Sequence, residues 1–193
     1  MGSVELYWIP LGADGNPAVR WGGRLYEWLS AHHDGRAARP LFHSALVVRA
    51  DSGAPYAIEM APVWSCREPD RGVVVEGPVG RRWLGASRMF RYEVRCWRHG
   101  VIPDLGEAVG GPVVLDASDD QVYRLLALVR EFPALTWGLD ESGTGDMWNS
   151  NSLVSWLLHS CGLPVDLAPP EHGRAPGWTA GLVVASHTPV KAA

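Results

Sequence analysis

Gly145-Asp146-Met147-Trp148-Asn149-Ser150-Asn151-Ser152-Leu153-Val154-Ser155-Trp156-Leu157-Leu158-His159-Ser160-Cys161-Gly162 decides how this chain is read. Small polar residues crowd the start of a short apolar helix. Asn151 or Asn149 is the N-cap candidate, and Gly162 is the C′ stop. Leu153, Val154, Trp156, Leu157, Leu158 and Cys161 leave no continuous wet face, so the helix of residues 151–161 belongs in the core and shows only its N-terminus to a cleft. A hydroxyl there, Ser152, meets unsatisfied backbone N–H groups and the positive end of the helix dipole. Both favour negative charge on an attacking oxygen or an oxyanion. The competing reading is plain capping, because Ser and Asn are the ordinary residues for starting a helix.

Working outward, 193 residues with 47% hydrophobic and 20% charged composition supply one full core, so a single domain over residues 1–193 is expected. A net charge of −4 provides no basic field, which disfavours nucleic acid as a partner. Arg81-Arg82 and the arginines from Arg88 to Arg98 read as solvated strand faces. Cys66, Cys96 and Cys161 are odd in number and widely spaced, which argues against a disulfide framework or a zinc knuckle and fits a reducing cytoplasm. No apolar run approaches the length of a membrane span. His32-His33 and His159 have no second pair at ligand spacing, so neither metal nor cofactor is expected. Of the 10 tryptophans, Trp148 beside the helix start and Trp64 after a strand are placed near a cleft, together with Asp146.

Strands are expected over residues 4–11, 41–50, 56–62, 71–77, 90–97 and 112–116, with a last one over 177–185. Helices are expected from Asn16-Pro17 to about His33 and after the capping box Ser118-Asp119-Asp120-Gln121. The runs at 41–50 and 56–62 form a hairpin. Symmetric flanking of its loop by Ala50 and Tyr56 puts Glu59 opposite Val47, on the face that carries His43. The fold class is therefore α+β: an antiparallel sheet of five or six strands packed on the buried helix in the C-terminal half, with two further helices.

Phe42-His43-Ser44-Ala45-Leu46, Ile58-Glu59 and Asn149-Ser150-Asn151-Ser152 resemble, in order and kind, the circularly permuted papain-like proteins of the NlpC/P60 superfamily, including the lecithin:retinol acyltransferase-like group. There a histidine lies on a strand, a polar residue follows on the next strand, and an Asn-Cys pair opens a late helix. The resemblance implies an amide, ester or thioester hydrolase or acyl transferase. Ser152 would be the nucleophile in place of cysteine, His43 the base and Glu59 its orienting partner, with Asn151 or Asn149 at the oxyanion. A small-molecule, lipid or peptide substrate follows from the same likeness. Cys161 cannot replace the missing thiol, since it lies about 13 Å along the helix at 1.5 Å per residue. The alternative is a non-catalytic binding or scaffold protein on the same frame.

Overall fold

The computed structural model describes residues 2–13, 26–50 and 53–187 of the chain. Alternating apolar residues produce β1 (Gly2–Pro10), β2 (Phe42–Arg49), β3 (Tyr56–Pro62), β4 (Val73–Pro78), β5 (Arg91–Arg98) and β6 (Val113–Ala117). They form one antiparallel sheet in the order β4-β5-β3-β2-β1-β6. Helical residues 26–33 are called α1. The expected start of that helix at Asn16-Pro17 lies outside the described residues. α2 (Asp119–Leu128), α3 (Ser150–Ser160) and α4 (Trp178–His187) complete the α+β fold. Among the described residues no helix is long and apolar enough to cross a membrane.

The period of two along each strand separates two faces. Leu6 and Trp8 of β1, Leu46 and Val48 of β2, Ile58 and Met60 of β3, and Tyr92 and Val94 of β5 form a core with Leu153, Val154, Leu157 and Leu158 of α3. On the other face Ile9, Ala45, Val47 and Ala57 meet Ile102 in a smaller cluster. His43 shares its strand parity with Ala45 and Val47, and Glu59 shares its parity with Ala57. Both therefore belong to the face away from α3.

α3 forms where the sequence places it. Gly162, with φ of 66°, follows Cys161 and stops the helix in the left-handed conformation that a side chain resists. The capping box of α2 is present, Ser118 accepting from the Gln121 N–H while Gln121 Oε1 accepts from the Ser118 N–H. Gln121 then donates its amide to the carbonyls of Cys161 and Gly162, which ties α2 to the otherwise unsatisfied end of α3.

The expected strand over residues 177–185 is instead α4. Its apolar run carries no alternation, and Gly177, Gly181 and Ala185 recur every four residues, a helical spacing. A Cβ at Gly181 would stand 2.1 Å from Ser155 Oγ and 2.3 Å from the Ser152 carbonyl oxygen. Glycine at that position lets α4 lie directly on α3, an approach that the β-rich composition of Leu182-Val183-Val184 conceals.

The hairpin register also differs from the expected one. Leu46 pairs with Ile58 and Val48 with Tyr56, so one step further Glu59 lies across from Ala45 rather than Val47. The two-residue shift keeps Glu59 on the His43 face and brings it nearer. More consequential is where this ladder ends. β2 pairs with β1 as far as Pro10↔Phe42 and β3 with β5 as far as Pro62↔Tyr92, but β2 and β3 part after Leu46↔Ile58. The sheet forks there, and the start of α3 fills the fork.

Candidate functional site

The fork is built from main-chain groups that have lost a strand partner. Leu41 still accepts from the Leu11 N–H on the β1 side, so Phe42 directs its own N–H and carbonyl the other way. The Phe42 N–H donates to the Arg174 carbonyl at 2.9 Å, and its carbonyl accepts from Asn151 Nδ2 at 2.9 Å. Asn151 also donates to the Pro176 carbonyl at 2.8 Å and accepts from Ser44 Oγ at 2.8 Å. One amide thus clasps both residues that flank His43, with its hydrogen-bonding capacity committed to structure. The expected oxyanion role of Asn151 does not fit that commitment.

Ser152 is equally committed. It is fully buried; its hydroxyl accepts from the Asn149 N–H at 3.1 Å and donates to the Gly177 carbonyl at 2.8 Å, with the Met147 carbonyl 3.3 Å away. An oxygen facing two carbonyls has no route to an acyl carbon, and an alkoxide there would be repelled by both. Asn149 is the N-cap: its Oδ1 accepts from the Asn151 N–H at 2.9 Å, and its Nδ2 donates to the Pro176 carbonyl at 2.8 Å. Of the four residues Asn149-Ser150-Asn151-Ser152, Ser150 alone has a side chain that bonds to no described residue. It occupies the first helical position and is largely buried.

His43 is held by a residue the sequence did not single out. Its Nε2 lies 2.8 Å from Oδ2 of Asp104, which precedes the short turn Leu105–Glu107 covering the far face. Burial pushes the Asp104 carboxyl up, but the bond and the charge of His43 outweigh it and hold it below its ordinary value. An ionised Asp104 requires the proton on Nε2, which leaves the Nδ1 lone pair as the basic position. The imidazole keeps 23% of its side-chain surface exposed, enough for a ligand to reach it. Nothing short in the sequence marks Asp104: it lies 61 residues from His43 in an irregular stretch, and only the turn-forming Pro103-Asp104 hinted at a fixed position.

Glu59 does not orient His43. Its Oε1 accepts from Nη1 of Arg95 at 2.9 Å, and burial raises its carboxyl above the ordinary range despite that guanidinium. Arg95 is 1% exposed and also bonds Glu93 Oε2, Ser65 Oγ and the Pro62 carbonyl, at 3.1 to 3.3 Å. Arg71 closes the network on Glu93 at 2.7 Å. The arginines of this strand are therefore not all solvated, as their spacing suggested: Arg95 is the buried hub that neutralises two carboxylates behind His43.

The remaining sequence candidates have other places in the fold. Trp148 is 1% exposed and stacks on Phe132 with ring centroids 4.9 Å apart, so it fills core and lines no cleft. Trp64 sits in the exposed turn Val63–Ser65. Asp146 accepts from the N–H groups of Met147 and Gly177 at 2.9 and 2.7 Å and from Thr179 at 3.3 Å, joining the loop before α3 to the first turn of α4. Among the described residues no cluster of three or more His, Cys, Asp and Glu is arranged to hold a metal ion. No protein-family model, no curated protein and no solved structure matches this chain.

Proposed function

We propose that the protein is an amide, ester or thioester hydrolase or acyl transferase whose reacting hydroxyl belongs to Ser150, with His43 as general base and Asp104 as its orienting partner. The observation that carries this reading is the division of labour at the start of α3: three of four polar side chains are committed to structure, and Ser150 keeps its hydroxyl. Asn149-Ser150 is an Asn-Ser pair like Asn151-Ser152, on which the papain-like resemblance places the nucleophile, and the proposal moves that role from Ser152 to Ser150.

The chemistry runs through the fork. Asp104 fixes the His43 tautomer, and Nδ1 accepts the Ser150 proton as the oxygen attacks an acyl carbon. The first-turn N–H groups of Asn151 and Ser152 are taken by Asn149, which leaves the Ser150 N–H, at the positive end of α3, as the donor for the oxyanion. His43 then returns the proton to the leaving group, and water or an acceptor hydroxyl or amine, deprotonated by His43 in turn, takes the acyl group and restores the Ser150 hydroxyl.

One observation favours the second reading, a binding protein. His43 belongs to the sheet face opposite α3, and no hydrogen bond joins it to Ser150, so serving the hydroxyl requires His43 to leave Asp104 and the start of β2 to leave the clasp of Asn151. Labelling with a fluorophosphonate separates the two readings. Catalysis requires the probe on Ser150, with the adduct lost in Ser150→Ala and His43→Ala and slowed in Asp104→Asn. Labelling that maps to Ser152, or survives Ser150→Ala, removes the assignment. A wild-type protein that never labels leaves the fork as a ligand site.

A further inference from the structure

A second surface lies away from the fork, on three successive 3-10 turns: Val63–Ser65, Arg82–Ala86 and Arg88–Phe90. The third turn neighbours both others, which brings the three turns together. Trp64 is 49% exposed, Trp83 73%, Met89 69% and Phe90 39%. Large apolar residues scattered singly on a surface carry no message, but four on adjoining turns form a patch of the kind that marks an interaction site. The two turns that carry Trp83 and Met89 lie in a segment rich in arginine. Residues 79–91 hold Arg81, Arg82, Arg88 and Arg91 and no acid, within a chain of net charge −4. Arg82 pairs with Glu141 and Arg91 with Glu76. Arg81 and Arg88 are exposed and have no acidic partner among the described residues.

We propose that this surface docks on an anionic lipid bilayer, with Trp83 and Met89 entering the boundary between headgroups and acyl chains and Arg81 and Arg88 pairing with lipid phosphates. The combination decides the partner. Tryptophan favours the interface because its ring is apolar and its N–H is polar, and arginine beside it adds attraction to a negative leaflet. Nucleic acid asks for flat rings along a basic groove, and the two most exposed apolar residues here are a tryptophan and a thioether on the tips of separate turns. An acidic protein would use tryptophan, methionine and arginine as well, and sedimentation with anionic vesicles separates the two, since the lipid surface alone requires it.

Vesicle co-sedimentation of the full chain tests this with two lipid preparations, phosphatidylcholine alone and an equimolar mixture of phosphatidylcholine and phosphatidylglycerol. The protein is expected to sediment with the mixture, to be released by added salt, and to remain in solution with phosphatidylcholine alone. Replacing Arg81 and Arg88 together by Gln should weaken binding about 25-fold, on the order of 5-fold per arginine. Trp83→Ala with Met89→Ala should weaken it by about 10-fold or more, since apolar contact sets the depth of insertion. All four side chains are exposed, so thermal melts of these variants should match wild type. Trp28→Ala, at a 59% exposed tryptophan on α1, should leave binding unchanged. Failure to sediment with the anionic vesicles overturns the proposal, and so does binding that both double variants leave intact. A single-stranded oligonucleotide that displaces the vesicles at stoichiometric amounts overturns it in favour of nucleic acid.

Discussion

On the α3 side of the sheet, buried polar side chains are neutral and bond mostly to main-chain groups: Asn151 to Phe42 and Pro176, Ser152 to Gly177, Ser155 to the Trp178 carbonyl. On the opposite side they are charged and bond mostly to each other, Arg95 joining Glu59 to Glu93 and His43 meeting Asp104. The first arrangement fixes where helices sit. The second keeps ionisable groups at defined positions, buried at Arg95, Glu93 and Glu59 and part-exposed at His43, and it is the one that can change protonation state during a reaction. Polar side chains at a helix start are therefore weak evidence of chemistry unless one of them has bonding capacity to spare.

Breaking the charged side should cost most. Arg95→Ala leaves Glu59 and Glu93 buried without their shared guanidinium, and removing one member of a buried ion network typically costs about 3–5 kcal/mol. A urea midpoint shift much smaller than that, with the slope unchanged, would mean that water replaces the arginine and that this face is more open than the structure has it. On the neutral side Gly181→Ala tests the packing of α4 on α3. Its Cβ would overlap Ser155 Oγ and a main-chain oxygen that cannot rotate away, so a loss of about 1–3 kcal/mol is expected. A thermal midpoint equal to wild type would show that the two helices can separate without penalty.

The pair Ser152→Ala and Ser150→Ala sharpens the comparison further. Deleting the Ser152 hydroxyl strands the Asn149 N–H and the Gly177 carbonyl, a loss of about 1–3 kcal/mol. Deleting the Ser150 hydroxyl strands nothing and should stay within about 0.5 kcal/mol of wild type. Under the proposed function the order reverses for probe reactivity, with Ser150→Ala inactive and Ser152→Ala still reactive wherever it remains folded. Equal stability losses in the two variants would contradict the bonding pattern.

This pair also shows how far the sequence could be read. The six strands, α2, α3 and the glycine that ends α3 follow from local periodicity and capping, and local signals place them within a residue or two. α4 reads as a strand in the sequence because an unbroken apolar run does not distinguish a buried strand from a buried helix. Its spacing of Gly177, Gly181 and Ala185 becomes meaningful only once α3 is the partner. At the site, His43 and the start of α3 were legible as a constellation, but which serine was spare was not. That depends on carbonyls from Met147 and Gly177, and Gly177 lies 25 residues away. The separation of His43 from Ser152 by the sheet follows from strand parity together with the face on which α3 packs, and only the first of these is written in a hairpin. Asp104 and the Arg95 hub are long-range contacts with no local signature.

The smallest expected effect is a dependence on pH, and its sign differs between Asp104 and Glu59 of the charged side, while Glu141, in the loop before α3, follows Asp104. Asp104 titrates below its unfolded value, so it contributes stability that is complete above the ordinary carboxylate range and is lost as pH falls through its folded value. Glu141, held to about 2 chiefly by the Arg82 bond against burial and with help from Thr136, acts in the same sense, its contribution fading as pH drops from about 4.5 toward 2. Glu59 runs the other way. Burial raises its folded pKa, so the folded chain holds that proton more tightly than the unfolded one, and the associated stability is present at low pH and declines as pH rises through the raised value. Urea midpoints followed across the acid range should therefore climb as Asp104 and Glu141 ionise and then carry a shallow opposing term from Glu59. Glu59→Gln should remove only that term, and Glu141→Gln should flatten only the acid limb. The α3 side offers a control, since Ser152→Ala removes a bond between groups that do not titrate and should lower the whole curve without changing its shape. If Glu59→Gln also leaves the shape intact, Glu59 stays ionised in the folded chain, its pairing with Arg95 outweighs burial, and the charged side is electrically closed rather than poised.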